Sequence, residues 1–207
     1  TWNPTLYKPY ATTVWVNKRN TQANIRVPAG SGTPKNPVTF NANDTVQGIL
    51  YIESPNNVLF NGNFKLQGFI VMEQGSSTTD TIEFKGNITQ SPVPSGSTFD
   101  ALRATSGVAI LAPGAKVSMT GSTDSNVRGS VVCNTFEFRG SAKLTIDQGT
   151  LMTLNGGTQT CVFNSAGSAK AAGVFFTSSG GDNEPTLGAS YSSYYSPKPQ
   201  TYQEVTP

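Results

Sequence analysis

Short runs of alternating apolar and polar residues, each closed by a glycine, recur along most of the chain. In the stretch 129–154, Phe136-Glu137-Phe138 alternates before Gly140, and a second alternating run ends before Gly149. Alternation with period two is typical of half-buried β-strands. Glycine suits the corners between them, because it has no Cβ and tolerates positive φ. The pattern therefore predicts short strands separated by tight turns.

Two landmarks recur in a fixed order, which indicates an internal repeat. The first is a glycine before each apolar run, and the second is an aromatic residue or methionine two positions before a glycine. The first set is Gly48, Gly68, Gly107, Gly129 and Gly149, spaced 20, 39, 22 and 20 residues apart, and the second is Phe60, Phe84, Met119 and Phe138. The long spacing is interpreted as one repeat plus an insertion at residues 91–106.

The repeat predicts an all-β fold, a single right-handed parallel β-helix (β-solenoid) over residues 37–177. Successive coils would stack about 4.8 Å apart, so that inward side chains form apolar columns such as Phe60 over Phe84. An antiparallel β-sandwich also has short strands and frequent turns. The ordered pair of landmarks favours the solenoid.

The two flanks lack the repeat. Residues 1–36 are predicted to form a cap with a short strand at 12–16. Residues 178–207 form a loop and a Tyr/Pro-rich tail, which either packs extended along the solenoid or acts as a linker. Their aromatic residues are interpreted as caps of the solenoid ends or as ligand or interface platforms. These residues are Trp2, Trp15, Tyr191, Tyr194, Tyr195 and Tyr202.

Composition limits the function classes. Charged residues are 13% of the chain and the net charge is +2 with scattered cations, so no nucleic-acid partner is expected. No apolar stretch reaches about 18 residues, so we expect no membrane segment in this chain. Because the chain begins at Thr1 without a signal peptide, it is interpreted as a trimmed piece of an exported protein whose anchor lies upstream.

Catalytic and metal chemistry have few candidates. Histidine is absent, which excludes Ser-His-Asp systems and His-ligated zinc. Cys133 and Cys161 are too few for a four-ligand zinc site, and they form either a disulfide or two buried thiols. We predict no catalytic residues, no metal and no cofactor.

The acidic residues are scattered. Glu83 and Glu137 each precede a landmark phenylalanine, so both point outward on one face, with a coil containing Ser118 between them. A pair of catalytic carboxylates needs convergence in one groove. A solvated face is therefore the preferred interpretation of these two acids.

The segments 127–132, 138–142 and 147–151 carry the pattern G-x-[IV]-[IV] … [FV]-x-G-x-A … D-x-x-x-[IL]. In this the chain resembles the C-terminal β-repeat domain of PilX-like, type IV pilus-associated bacterial proteins, over roughly residues 46–163. It is more loosely similar to the polymer-forming bactofilins. The first resemblance implies an export-linked surface domain with no catalytic residues.

Three hypotheses follow. The first is a non-enzymatic structural or adhesive surface module of a type IV pilus-like or secretion-like assembly, extracellular or on the cell surface. Its partners would be protein subunits of that assembly or a cell-surface glycan. The second is a carbohydrate-binding or polysaccharide-active β-helix protein, and the third a filament-forming bactofilin-like scaffold. A face of small polar residues favours the first hypothesis, whereas converging acids or a row of Tyr/Trp favours the second.

Overall fold

A computed structural model describes residues 3–17, 20–105, 107–154, 161–164 and 168–176, the last two ranges as backbone only. Nearly all of the regular structure is β. The elements are a 3-10 helix Pro4–Tyr10, β1 Thr13–Val14, β2 Thr21–Val27, β3 Val38–Asn41, β4 Thr45–Ile52, β5 Asn57–Asn61, β6 Phe64–Met72, β7 Thr81–Phe84, β8 Ile88–Ser91, α1 Asp100–Arg103, β9 Val108–Gly121, β10 Asp124–Arg128, β11 Ser130–Gly140, β12 Lys143–Thr153, β13 Cys161–Asn164 and β14 Ser168–Phe176.

All strand pairs in the described ranges are parallel, which confirms the β-solenoid and excludes the antiparallel sandwich. The register divides about seven coils into three faces. Face A contains the first halves of β2, β4, β6 and β12 with β8, β10 and the start of β14. Face B contains the second halves of β2, β4, β6 and β12, the starts of β9 and β11 and the end of β14. Face C contains β3, β5, β7, β13 and the ends of β9 and β11.

Columns of identical or similar side chains fill the interior. On face C the Phe60 ring stacks between Phe40 and Phe84, with centroids 5.1 and 4.7 Å away and interplanar angles of 15° and 11°. Met119 pairs with Phe84, Phe138 pairs with Met119, and both side chains are fully buried. The second repeat landmark therefore forms one continuous buried column.

The corner between faces A and B requires a left-handed backbone. Gly48 pairs with Gly68 there, and a Cβ added to Gly68 would lie 1.8 Å from the Gly48 carbonyl oxygen. The φ angles are 78° at Gly48, 150° at Gly68, 116° at Gly107 and 107° at Gly129, and Gly149 packs against Gly129. Asn24 (φ 48°) and Gln148 (φ 54°) adopt this conformation in the first and sixth coils.

The N-terminal region differs from the predicted cap. β1 and β2 already belong to the parallel stack, although both lie before the predicted solenoid boundary at residue 37. Trp15 does cover the end of the stack, because its ring packs 6.3 Å from that of Phe40. The 3-10 helix instead lies along the side, where the Tyr7 ring meets Phe69 edge-on at 5.6 Å.

Face B accepts this helix because its outer surface is apolar. Ile49, Tyr51, Val71 and Leu111 point away from the interior yet are at most 2% exposed. They form a second apolar cluster with Ala11 of the N-terminal segment and with Leu102, which lies between β8 and β9. The insertion therefore emerges at the corner between faces A and B of the fourth coil and folds back over face B.

We expect Phe60→Ala to lower the free energy of unfolding by about 3–5 kcal/mol, because it removes a fully buried ring from the middle of the stack. Urea unfolding followed by circular dichroism measures this. Asn61→Ala is the matched control, because Asn61 is the exposed neighbour on the same strand. Equal losses in the two variants would contradict the stacked column.

Candidate functional site

Polar side chains cover the outside of face A. The register aligns Thr45, Lys65 and Thr89 in one outward column and Gln47, Gln67 and Ser91 in the next. We call these six residues the polar ladder. They line a shallow groove of about 320 Å³. A hydrogen bond joins two coils within the ladder, because Nε2 of Gln47 donates to Oε1 of Gln67 at 2.6 Å.

A second concave site, the corner pocket, lies where faces A and B meet beneath the insertion. Its volume is about 460 Å³. The insertion contributes Pro92, Val93, Leu102 and Arg103, and the coils contribute Gly68, Phe69, Gln90, Gly107, Val108, Arg128, Gly129 and Gln148. Most of this lining is apolar, and two guanidinium groups are its charged members. A pocket of this size and character suits a small-molecule ligand.

Neighbouring coils fix the orientation of Arg128 in the corner pocket. Its Nε and Nη2 donate to Oε1 of Gln148 at 2.9 and 2.7 Å, and its backbone N–H donates to Oε1 of Gln90 at 2.7 Å. Gln90 in turn donates from Nε2 to the Gly68 carbonyl oxygen at 2.6 Å. Gln148 therefore holds the guanidinium, while Gln90 holds the backbone of Arg128.

Gln148 makes this contact from a strained backbone. A side chain with a Cβ at φ 54° is disfavoured by about 1–2 kcal/mol relative to the right-handed region. Glycine takes the left-handed conformation at the same corner in the preceding coil, at Gly129. The glutamine is therefore retained at a position where the backbone favours glycine.

Two carboxylates that the sequence interpretation passed over also converge. Lys8 from the 3-10 helix bridges Glu53 and Glu73, with its Nζ 3.0 Å from an oxygen of each. Arg26 contacts Glu53 at 3.1 Å, and the Tyr51 hydroxyl donates to Glu73 at 2.8 Å. The repeat held a signal for this pair, because each acid follows its corner glycine, Gly48 or Gly68, by five residues.

The protonation of this cluster follows from its contacts. Burial tends to raise the pKa of Glu53, but the hydrogen bonds from Lys8 and the Ala29 N–H and the charges of Lys8 and Arg26 together hold it below its ordinary value. The bonds to Glu53 and Glu73 raise the pKa of Lys8. Burial and the bond to Glu73 raise the pKa of Tyr51. Lys8 and Glu53 thus form an ionised pair within this cluster, which we call the clamp and which fastens the N-terminal segment to face B.

The acids singled out from the sequence lie apart. Glu83 and Glu137 each pair with Ser118, so a full coil separates them. Arg139 contacts both oxygens of Glu137, at 2.8 and 2.9 Å, and Lys116 also pairs with this carboxylate. Burial would raise the pKa of Glu137, but these two cations keep it lowered. Glu137 is only 7% exposed, so the interpretation as a solvated face is wrong for this acid, which is a buried, ion-paired carboxylate on face C.

Several sequence-predicted residues fall partly or wholly outside the described part of the chain. Cys133 is buried on face B, while only the backbone of Cys161 is described, on face C opposite Phe136. The disulfide therefore stays a prediction. The same is true of the roles proposed for the remaining terminal aromatics, which are Trp2, Tyr191, Tyr194, Tyr195 and Tyr202.

Comparison with known proteins identifies no relative of this chain. No protein-family model, curated protein or solved structure matches this chain. Within the described ranges no group of three or more metal-ligating side chains occurs, and no helix is long and apolar enough to span a bilayer. The polar ladder and the corner pocket both have a geometry that is suited to binding.

We expect Glu53→Gln to lower the free energy of unfolding by about 1–2 kcal/mol at neutral pH, because the hydrogen bonds to a charged acceptor are lost. The lowered pKa of Glu53 also gives a pH dependence. Its contribution is complete above the ordinary carboxyl pKa of 4.5 and is lost as pH falls through the lower folded-state value.

Thermal unfolding from neutral pH down into the acid range tests this. The stability difference between wild type and Glu53→Gln should shrink as the pH falls. Asp124→Asn is the control, because Asp124 is an exposed acid on face A. If both variants show the same pH profile, the clamp assignment is wrong.

Proposed function

We propose that this protein is a non-enzymatic structural and adhesive module that acts outside the cell. The rigid solenoid presents its polar ladder to a carbohydrate chain on a cell or matrix surface. The observation that supports this is the outer surface of face A, where three successive coils each present two polar side chains to one groove.

The chemistry of the ladder favours a carbohydrate over a protein partner. Protein interfaces generally contain an apolar or aromatic centre. The six ladder side chains are polar, with Lys65 their one cation and no acid among them. Coils repeat about every 4.8 Å, close to the length of one pyranose unit in an extended polysaccharide. Hydroxyls of successive sugars can therefore meet equivalent side chains on successive coils.

Three described carboxylates, those of Glu53, Glu73 and Glu137, are engaged in contacts that favour binding without cleavage. A glycosidase of the common type needs one carboxylic acid whose pKa is raised, so that it can protonate the leaving oxygen. Glu53 and Glu137 instead have lowered pKa values and are engaged by cations. Glu73 accepts from Lys8, the Tyr51 hydroxyl and the Ser54 N–H. These side chains make contacts within the protein that stabilise the fold.

The resemblance to type IV pilus-associated proteins motivates the location in this proposal. A stiff rod with one polar side suits attachment to a surface assembly, where a glycan would be met first. Immunogold labelling of cells with an antibody against the domain should place gold along or at the tip of surface filaments. Gold spread evenly over the envelope would overturn the pilus-like location and leave the binding proposal standing.

Replacing Gln47 and Gln67 together by alanine should weaken polysaccharide binding by about thirtyfold, because each lost hydrogen bond is worth about 1 kcal/mol. Depletion assays with insoluble cellulose and chitin, and affinity electrophoresis with soluble polysaccharides, measure this. Both glutamines are half-buried surface residues, so circular dichroism should show an unchanged fold.

The control is Asn61→Ala, which removes an exposed amide from face C. It should bind as the wild type does. Loss of binding in this control, or absence of binding by the wild type across the polysaccharides, would reject face A as the adhesive surface.

A further inference from the structure

We propose that the corner pocket binds a small carboxylate whose body is apolar and planar, such as an aromatic acid. This site is distinct from the polar ladder and does not depend on the adhesive function. It combines an anion-binding rim with an apolar wall, which are the two features such a ligand requires.

Arg128 supplies the anion-binding group. A guanidinium carries five N–H donors, of which Gln148 takes one from Nε and one from Nη2. The remaining donors are on Nη1 and the outer side of Nη2, the edge that accepts a carboxylate end-on through two parallel hydrogen bonds. No other acceptor for these donors is found among the residues that the structure describes. The guanidinium is therefore oriented before a ligand arrives.

The insertion contributes a second cation to the pocket. Arg103 of α1 is part of the lining and forms an ion pair with Asp100, with its Nη1 3.6 Å from Oδ1. Asp100 and Asp147, the strand partner of Arg128, are the nearest acids in sequence and register, and neither lines the pocket. The charge that faces the pocket is thus positive, which favours an anion.

The rest of the pocket selects the body of the ligand. Phe69, Val93, Leu102 and Val108 are apolar, and Phe69 is held in place by the edge of Tyr7. A sugar acid would leave several hydroxyl groups against these side chains without partners, which is unfavourable. Inorganic phosphate would accept hydrogen bonds from the guanidinium at the rim, but it would leave the apolar wall uncovered. An aromatic carboxylate fits both parts.

Substitution of Gln148 distinguishes a role in ligand binding from a role in stability. Its side chain orients Arg128, and its backbone is left-handed at a corner where other coils have glycine. Gln148→Gly should therefore leave the melting temperature unchanged or raise it, while it releases the guanidinium. A residue kept only for stability would show the opposite effect.

The test is isothermal titration calorimetry of the whole chain with benzoate and cinnamate. Each is compared with its neutral amide, and glucuronate and phosphate are titrated in parallel. We expect saturable binding of the aromatic acids and at least tenfold weaker binding of the amides. Arg128→Gln and Gln148→Gly should each weaken aromatic-acid binding about tenfold or more, in line with loss of a charge-assisted contact.

Lys143→Gln is the control, because Lys143 is an exposed cation on face A that does not line the pocket. It should bind as the wild type does. Four results would overturn the proposal: no saturable binding of either aromatic acid, equal binding of acid and amide, tighter binding of glucuronate or phosphate, or undiminished binding by Arg128→Gln. Each outcome is independent of polysaccharide binding at the ladder.

Discussion

Parallel stacking of coils is the constraint on which the rest of this structure depends. A single coil cannot cover its own inward side chains, nor can it satisfy the backbone groups of its strands. The next coil does both, provided that its strands pair in register. Side chains at equivalent positions are then forced into columns, whether their chemistry is apolar or polar. Phe60 on Phe84, Gln47 beside Gln67 and Glu53 near Glu73 all result from this one requirement.

The same constraint explains the corners. Between faces A and B the backbones approach so closely that a Cβ on Gly68 would collide with Gly48. Five landmark glycines lie along this edge, and they leave it without side chains over several coils. The insertion of the fourth coil covers part of the edge and encloses the corner pocket. The corner pocket therefore forms because the glycines of the coils carry no side chains there, while the insertion supplies side chains that cover the gap.

Sequence periodicity predicted the β-solenoid because both landmarks are direct consequences of stacking. The repeat does not reveal the coil that contains β2, because Asn24 replaces glycine at the first corner. The side-on position of the N-terminal helix has a different signal in the sequence. The runs 49–52 and 69–72 are apolar at every position, which indicates burial of both sides of a strand. Such runs imply that the outer side of face B also needs a cover, which the N-terminal segment provides.

The corner pocket is harder to predict from the sequence than the solenoid. The 20-residue repeat aligns Arg128 with the coil of Gln148, but nothing local shows that their side chains meet. The insertion has no repeat signal, and its position depends on Leu102 reaching the apolar outside of face B. Regular stacking thus determines most of the molecule and can be read from spacing. The pocket arises where the regularity is interrupted, at an inserted segment and a left-handed glutamine.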